Sequence, residues 1–125
     1  MYKWFACFVA AFLLAWGVGP ASAQYQGGPI KIGVLNDQSG LYSDIAGMGS
    51  VWAAKKAVED FGAAAKGMKV EIIAADHLNK PDVGSTIARQ WYNVDTVDVI
   101  ADVPTSSVAL AINETSGLGS AENSL

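Results

Sequence analysis

Short apolar runs alternate with stretches of helical period along the chain. Ile30–Asn36 (IKIGVLN) is compact, apolar and rich in β-branched side chains, the pattern of a buried strand. Asp37 to Gly40 has turn chemistry. From about Asp44 to Phe61 the period changes. Met48, Val51, Val58 and Phe61 recur near helical spacing, with Lys55, Lys56, Glu59 and Asp60 on the wet side. Gly62 and Gly67 bracket a loop, and Val70–Ala75 (VEIIAA) is a second strand, ended by Asp76-His77-Leu78-Asn79. Pro81 suits the first turn of a helix, where its missing N–H costs nothing. Val83, Ile87, Trp91 and Val94 then recur three to four residues apart. Val97 to Val103 is a third strand, followed by Pro104-Thr105-Ser106-Ser107, and Val108 to Ile112 opens a third helix. Asp44 is read as a helix cap, and Trp52 and Trp91 as packing residues.

Strand and helix alternate with short connections, which implies a parallel sheet with crossover helices: an α/β, doubly wound lobe. In open sheets of this kind, ligands sit beyond the carboxyl ends of the strands, against helix N-termini. Those ends carry Asp37-Gln38-Ser39-Gly40, Asp76-His77-Leu78-Asn79 and Pro104-Thr105-Ser106-Ser107. All are short, polar, and hydroxyl- or amide-bearing. From Glu114 to Leu125 (ETSGLGSAENSL) helical spacing gives way to Ser and Gly. Only three strands precede that stretch, where a stable parallel sheet usually has about five. The pattern reads as an incomplete lobe over residues 30–113 with a divergent flexible tail over 114–125. The other reading is a small, complete, secreted α/β interaction domain with a flexible end.

The N-terminus belongs to a different class of segment. Met1 to Lys3 carries one positive charge, Trp4 to Val18 carries none, Pro20 breaks the run, and Ala21-Ser22-Ala23 offers small side chains. This is the layout of a cleaved secretory signal over residues 1–23, followed by a flexible arm over 24–29. The run is too short for a bilayer-spanning helix, which wants about 20 apolar residues. The sole cysteine, Cys7, lies inside the run rather than at a lipoprotein cleavage point, and it leaves with the signal. The exported product is therefore expected to form no disulfide and no thiolate metal site. One histidine gives no His-rich zinc site. A formal net charge of -4, with no Lys/Arg cluster, argues against nucleic acid as a partner. No cofactor or metal is expected.

The export signal followed by IKIGVLNDQSGLYSD, VWAAKKAVEDFG, VEIIAADHLNKPDVG and VDVIADVPTSSVALAINE resembles the start of a leucine/isoleucine/valine-type solute-binding protein. These are periplasmic receptors of ABC importers, with a type I periplasmic-binding-protein fold. The resemblance covers Ile30 to about Asn113. Its Ala-Asp-His before Asn-Lys-Pro-Asp is similar to relatives associated with aromatic or other organic acids as well as with amino acids. The resemblance implies a two-lobed, hinged protein that closes on a small carboxylate and delivers it to importer membrane subunits. It further implies that this chain is the first, incomplete lobe of such a receptor, since the likeness ends after Asn113, as it would in a truncated or frame-shifted gene.

The resemblance also implies that hydroxyls and N–H groups after the third strand hold the ligand carboxylate, which places Thr105 and Ser106 in the site. Helix N-termini stabilise carboxylates through unpaired N–H groups and partial positive charge. The bland alternative is that Thr105 only caps its helix. Ser39 and Tyr42 follow the first strand and are placed to line the same edge, with the Tyr42 ring against the ligand body or simply packed on the surface. His77 is either a pH-sensitive donor to the ligand or a structural hydrogen-bonder. Asp76 either holds His77 or meets a ligand ammonium. Enzyme readings fail. No G-x-S-x-G elbow surrounds Ser39. Trp52 occupies the third glycine position of the partial dinucleotide motif at Gly47-Met48-Gly49. No catalytic residue is assigned.

Overall fold

The computed structural model describes residues 27–122. The expected signal over residues 1–23 lies outside the described residues, as do the first residues of the expected arm and the last three of the chain. Three parallel strands form one sheet in the order β2–β1–β3, with β1 (Ile30–Asn36) in the middle, β2 (Val70–Asp76) on one side and β3 (Val99–Ala101) on the other. Ile30 pairs with Val70 and Asn36 with Asp76, while Gly33 pairs with Ile100. Helix α1 (Gly47–Phe61) joins β1 to β2, α2 (Pro81–Asn93) joins β2 to β3, and α3 (Ser106–Glu122) follows β3. This is the expected α/β, parallel, strand–helix alternation.

Strand alternation sorts β1 onto two faces. Leu35 points into a core with Ala88 and Trp91 of α2, Val108 and Ile112 of α3, and Val97. Burying Leu35 completely contributes about 2 kcal/mol. Gly33 lies on the same face, and a Cβ there would run into the Trp91 ring, so the absence of a side chain on β1 is what lets α2 lie flat on the sheet. Gly84 does the same between the helices: its Cβ would come within 2.5 Å of Val108 Cγ1. Ile30, Ile32 and Val34 point to the opposite face, toward α1, which turns Val51 and Ala54 inward.

Several boundaries differ from the sequence expectation. Helix α1 starts at Gly47 and Asp44 does not cap it. The turn before it uses backbone carbonyls, with Ala46 N–H donating to the Tyr42 carbonyl, so no side-chain cap is present. Trp91 is 6% exposed and packs as expected, whereas Trp52 is 68% exposed, because α1 presents neighbouring Val51 to the sheet instead. Strand β3 spans only Val99–Ala101, cut short by Asp102 with φ 57, a left-handed conformation that Asp tolerates better than most residues. Helix α3 continues through Glu122, so the stretch from Glu114 to Glu122 is helical rather than an irregular tail. Within it Thr115 is buried and its hydroxyl donates to the Ala111 carbonyl at 3.0 Å, satisfying a polar group inside the helix.

Candidate functional site

Because the strands are parallel, the segments after β1, β2 and β3 all leave from one edge of the sheet. The chain crosses to β2 over one face and to β3 over the other, so β1 sits at the reversal where open α/β sheets form a crevice. The end of β1 holds this edge together. Asn36 is fully buried and its Nδ2 donates to the Gly47 carbonyl at 2.9 Å and to Asp102 Oδ2 at 2.8 Å, joining the ends of β1 and β3 to the start of α1. Asp37, also fully buried, accepts from Gly40 N–H at 2.8 Å and Tyr42 N–H at 3.0 Å, closing the loop that carries Ser39 and Tyr42.

Asp76 laces the first two loops together. One carboxylate oxygen accepts from Gln38 N–H (3.1 Å) and Leu78 N–H (2.7 Å), and the other from the Ser39 hydroxyl (2.6 Å). Desolvation pushes the Asp76 pKa up, but the bonds from Ser39, Leu78 and Gln38 outweigh it and hold the group below the usual carboxylate value. Three hydrogen bonds of its carboxylate thus go to the loops themselves.

His77 lies inside the fold, 0% exposed. Its Nδ1 accepts Asn79 N–H at 2.9 Å, which puts the proton of the neutral ring on Nε2, and Nε2 is buried without a partner. Burial lowers its pKa, against the opposing pull of Asp37, Asp76 and Asp102. Leu78 and Asn79 follow in left-handed conformations (φ 53 and 56), a tight reversal that delivers the chain to Pro81 at the start of α2. Through Nδ1, His77 holds this reversal in place, while its Nε2 proton has no partner.

On the other side of β1, Thr105 immediately precedes α3, and its carbonyl accepts the Ala109 N–H at 2.9 Å. Its Oγ1, however, is buried with no hydrogen-bond partner. A hydroxyl that capped the helix would be bonded to one of its first N–H groups; this one is left unspent at the helix N-terminus. Ser106 is the exposed first residue of the helix, and Tyr42 is exposed on the loop after β1. The six expected residues thus occupy one sheet edge in two groups, Ser39–Tyr42–Asp76–His77 and Thr105–Ser106, joined through Asn36 and Asp102. Asn36 and Asp102 also belong to this edge, and of the polar strand-end segments Asp37 and Asn79, whose Oδ1 is likewise buried and unpartnered, contribute beside the six expected residues. A polar residue at a strand end signals the edge, but nothing local says which one turns inward. Among the described residues no cluster of His, Cys, Asp or Glu is arranged to hold a metal ion, and no helix is long and apolar enough to cross a membrane.

Residues 29–116 match the family described as periplasmic binding protein. Among solved structures, the chain is similar to a periplasmic binding protein from Burkholderia mallei (40% identity, TM-score 0.66, covering 70% of this chain and 23% of that one). A branched chain amino acid ABC transporter periplasmic ligand-binding protein from Burkholderia xenovorans is 48% identical, with a TM-score of 0.64 over 68% of this chain and 23% of that one. An ABC transporter substrate-binding protein from Sphaerobacter thermophilus is 31% identical, with a TM-score of 0.60 over 70% of this chain and 23% of that one. The chain therefore spans about a quarter of the length of these relatives. They are binding proteins rather than enzymes, in keeping with the non-enzymatic reading of the sequence. The search of curated proteins found no match.

Proposed function

We propose, from the premise that this chain belongs to the periplasmic binding protein family, that its β-strand edge supplies part of the grip of a receptor on a small carboxylate. The ligand class is an amino acid of the branched-chain type or a related organic or aromatic acid, and the receptor serves an ABC importer from the periplasm. The branched-chain class is in line with the name of the 48% identical relative. The observation that carries the reading is the Thr105 hydroxyl, buried and unbonded at the N-terminus of α3. A carboxylate placed there accepts from that hydroxyl and from the first N–H groups of the helix, in the favourable field of its dipole. Ser106 lies beside it, Tyr42 lines the ligand body, and Asp76 and His77 hold the neighbouring loop in shape.

In the relatives this region is a fraction of a longer chain, and binding to the present chain alone is expected to be weak. A charge-assisted hydrogen bond and a helix-terminus interaction together supply about 2–5 kcal/mol, which corresponds to a Kd near the millimolar range. Amide chemical shifts of the ¹⁵N-labelled chain, titrated with leucine and separately with leucinamide, test the proposal. Leucine should shift Thr105–Ser107 and the Ser39–Tyr42 loop, and leucinamide, which lacks the carboxylate, should not. Equal responses to the two, or shifts confined to other elements, overturn it.

A further inference from the structure

His77 carries a nitrogen that the loop after β2 does not use. The ring is fully buried, Nδ1 accepts from Asn79 N–H, and the Nε2–H donor has no partner. A buried donor left unpaired is costly and calls for a physical account. His77 follows Asp76, the register partner of Asn36, whose side chain turns toward the start of α1. Alternation therefore puts the His77 ring on the opposite face, the one that carries α2 and α3. Gly84 confirms the placement. A Cβ built on it would stand 3.6 Å from His77 Cβ and 2.5 Å from Val108 Cγ1. The root of the ring and the first turns of α2 and α3 thus meet where Gly84 lacks a side chain.

The direction of Nε2 follows from its neighbours. Nδ1 is tied to the ring's own loop, so Nε2 lies on the far side, toward the ends of β1 and β3. Among the carboxylates acting on the ring, Asp37 at the end of β1 outweighs the adjoining Asp76, and Asp102 beyond β3 is also felt. Both distant carboxylates already have partners, Asp37 in the N–H groups of Gly40 and Tyr42 and Asp102 in Asn36 Nδ2. Three buried acceptors among the described residues have none: Asn36 Oδ1, Asn79 Oδ1 and Thr105 Oγ1. Asn36 is turned toward α1, and Asn79 belongs to the Nδ1 side of the ring. Thr105 stands three residues before Val108, a spacing that keeps two residues on one helix face. Its hydroxyl is the acceptor left for Nε2–H.

We propose that His77 is a positioning residue for Thr105: when a carboxylate reaches the N-terminus of α3, Nε2–H donates to Thr105 Oγ1 and the threonine hydroxyl donates to the ligand. A hydroxyl that accepts from a donor on one side must send its own proton elsewhere. The ring thereby fixes Thr105 as a donor toward the ligand, which favours a carboxylate oxygen over an ammonium or amide N–H. The two hydrogen bonds in series also strengthen each other.

This inference rests on the carboxylate grip proposed above, and the experiment tells their failures apart. His77 is the chain's only histidine, so its Nε2–H proton gives a single signal in the ¹⁵N-labelled chain. Titration with leucine should move that proton downfield with the same midpoint as the Thr105–Ser107 amides, and leucinamide should leave it in place. In Thr105→Val the downfield movement should be lost. Shifts at Thr105–Ser107 with a stationary Nε2–H proton overturn the role of His77 and leave the carboxylate grip standing. No response at Thr105–Ser107 overturns both. Two substitutions then separate positioning from support of the loop. His77→Asn keeps an oxygen for Asn79 N–H but removes the Nε2 donor, whereas the longer amide of His77→Gln puts an N–H back near Nε2. Loss of one neutral hydrogen bond should weaken leucine binding about fivefold in His77→Asn, and His77→Gln should recover it to within about twofold. A folded His77→Asn chain with unchanged affinity, or a His77→Gln chain as weak as His77→Asn, overturns the proposal. Should either variant fail to fold, the proton signal of the unaltered chain still decides.

Discussion

Replacing Thr105 with valine separates two roles that a threonine before a helix can have. If the hydroxyl capped α3, its loss would cost about 1 kcal/mol. The structure instead leaves Oγ1 buried with no partner, a state that costs roughly 1–3 kcal/mol. Valine keeps the branched shape and removes the stranded polar atom, so Thr105→Val is expected to stabilise the unliganded chain by about 1 kcal/mol. For a domain of this size that raises Tm by roughly 4–8 °C. The same substitution removes a hydrogen bond to a bound carboxylate, worth about 1.5–3 kcal/mol, so affinity for leucine should fall roughly 10–100-fold. Thermal unfolding followed by far-UV circular dichroism measures the first effect, and the leucine titration measures the second. A lower Tm restores the capping role and refutes the reasoning. A higher Tm with unchanged leucine binding separates Thr105 from the carboxylate.

Two further perturbations follow from the packing. His77 is the chain's only histidine and its pKa is held down in the fold by burial. The unfolded chain therefore takes up a proton near pH 6.5 while the folded chain does not. The stability that His77 provides is complete above that pH and declines as pH falls below it, toward the lower folded value. Urea midpoints at pH 8 and 5.5 should show the lower value at 5.5, and a His77→Gln chain that keeps the full difference contradicts this. Gly33→Ala drives a methyl group into the Trp91 ring, which is expected to cost about 2 kcal/mol. Calorimetry should show a Tm fall of about 10 °C, and a smaller fall when Gly33→Ala is added to a Trp91→Leu background. An additive loss would mean that the two residues do not meet.

The order of strands and helices was legible because apolar period is a local property. Ile30–Asn36 and the Val83–Trp91 pattern carry it plainly, and both lie where expected. Strand β3 proved shorter because its end is set by the left-handed backbone at Asp102, which has no signature beyond a residue type that tolerates it. Helix α3 proved longer than its Ser- and Gly-rich composition suggests, and Thr115 is accommodated within it by a bond from its hydroxyl to the Ala111 carbonyl. At the candidate site, the sequence order was enough to bring the three polar loops to one edge. It could not show that Asp76 accepts from Gln38, Ser39 and Leu78, or that His77 turns inward, since those outcomes depend on contacts between separate strands. Trp52 and Trp91 make the same point: both sit on helices with apolar neighbours, and only the choice of which helix face meets the sheet distinguishes them.

The amide of Asn36 grips the end of β3 and the beginning of α1 at once. Loops moored in this way cannot drift apart one at a time. On the proposed reading, a small molecule arriving at that rim would meet a surface whose shape is already set, and little of its binding energy would be consumed in organising the protein. Selectivity at such a rim would then come from fit to a rigid outline, and any large motion accompanying capture would occur away from it.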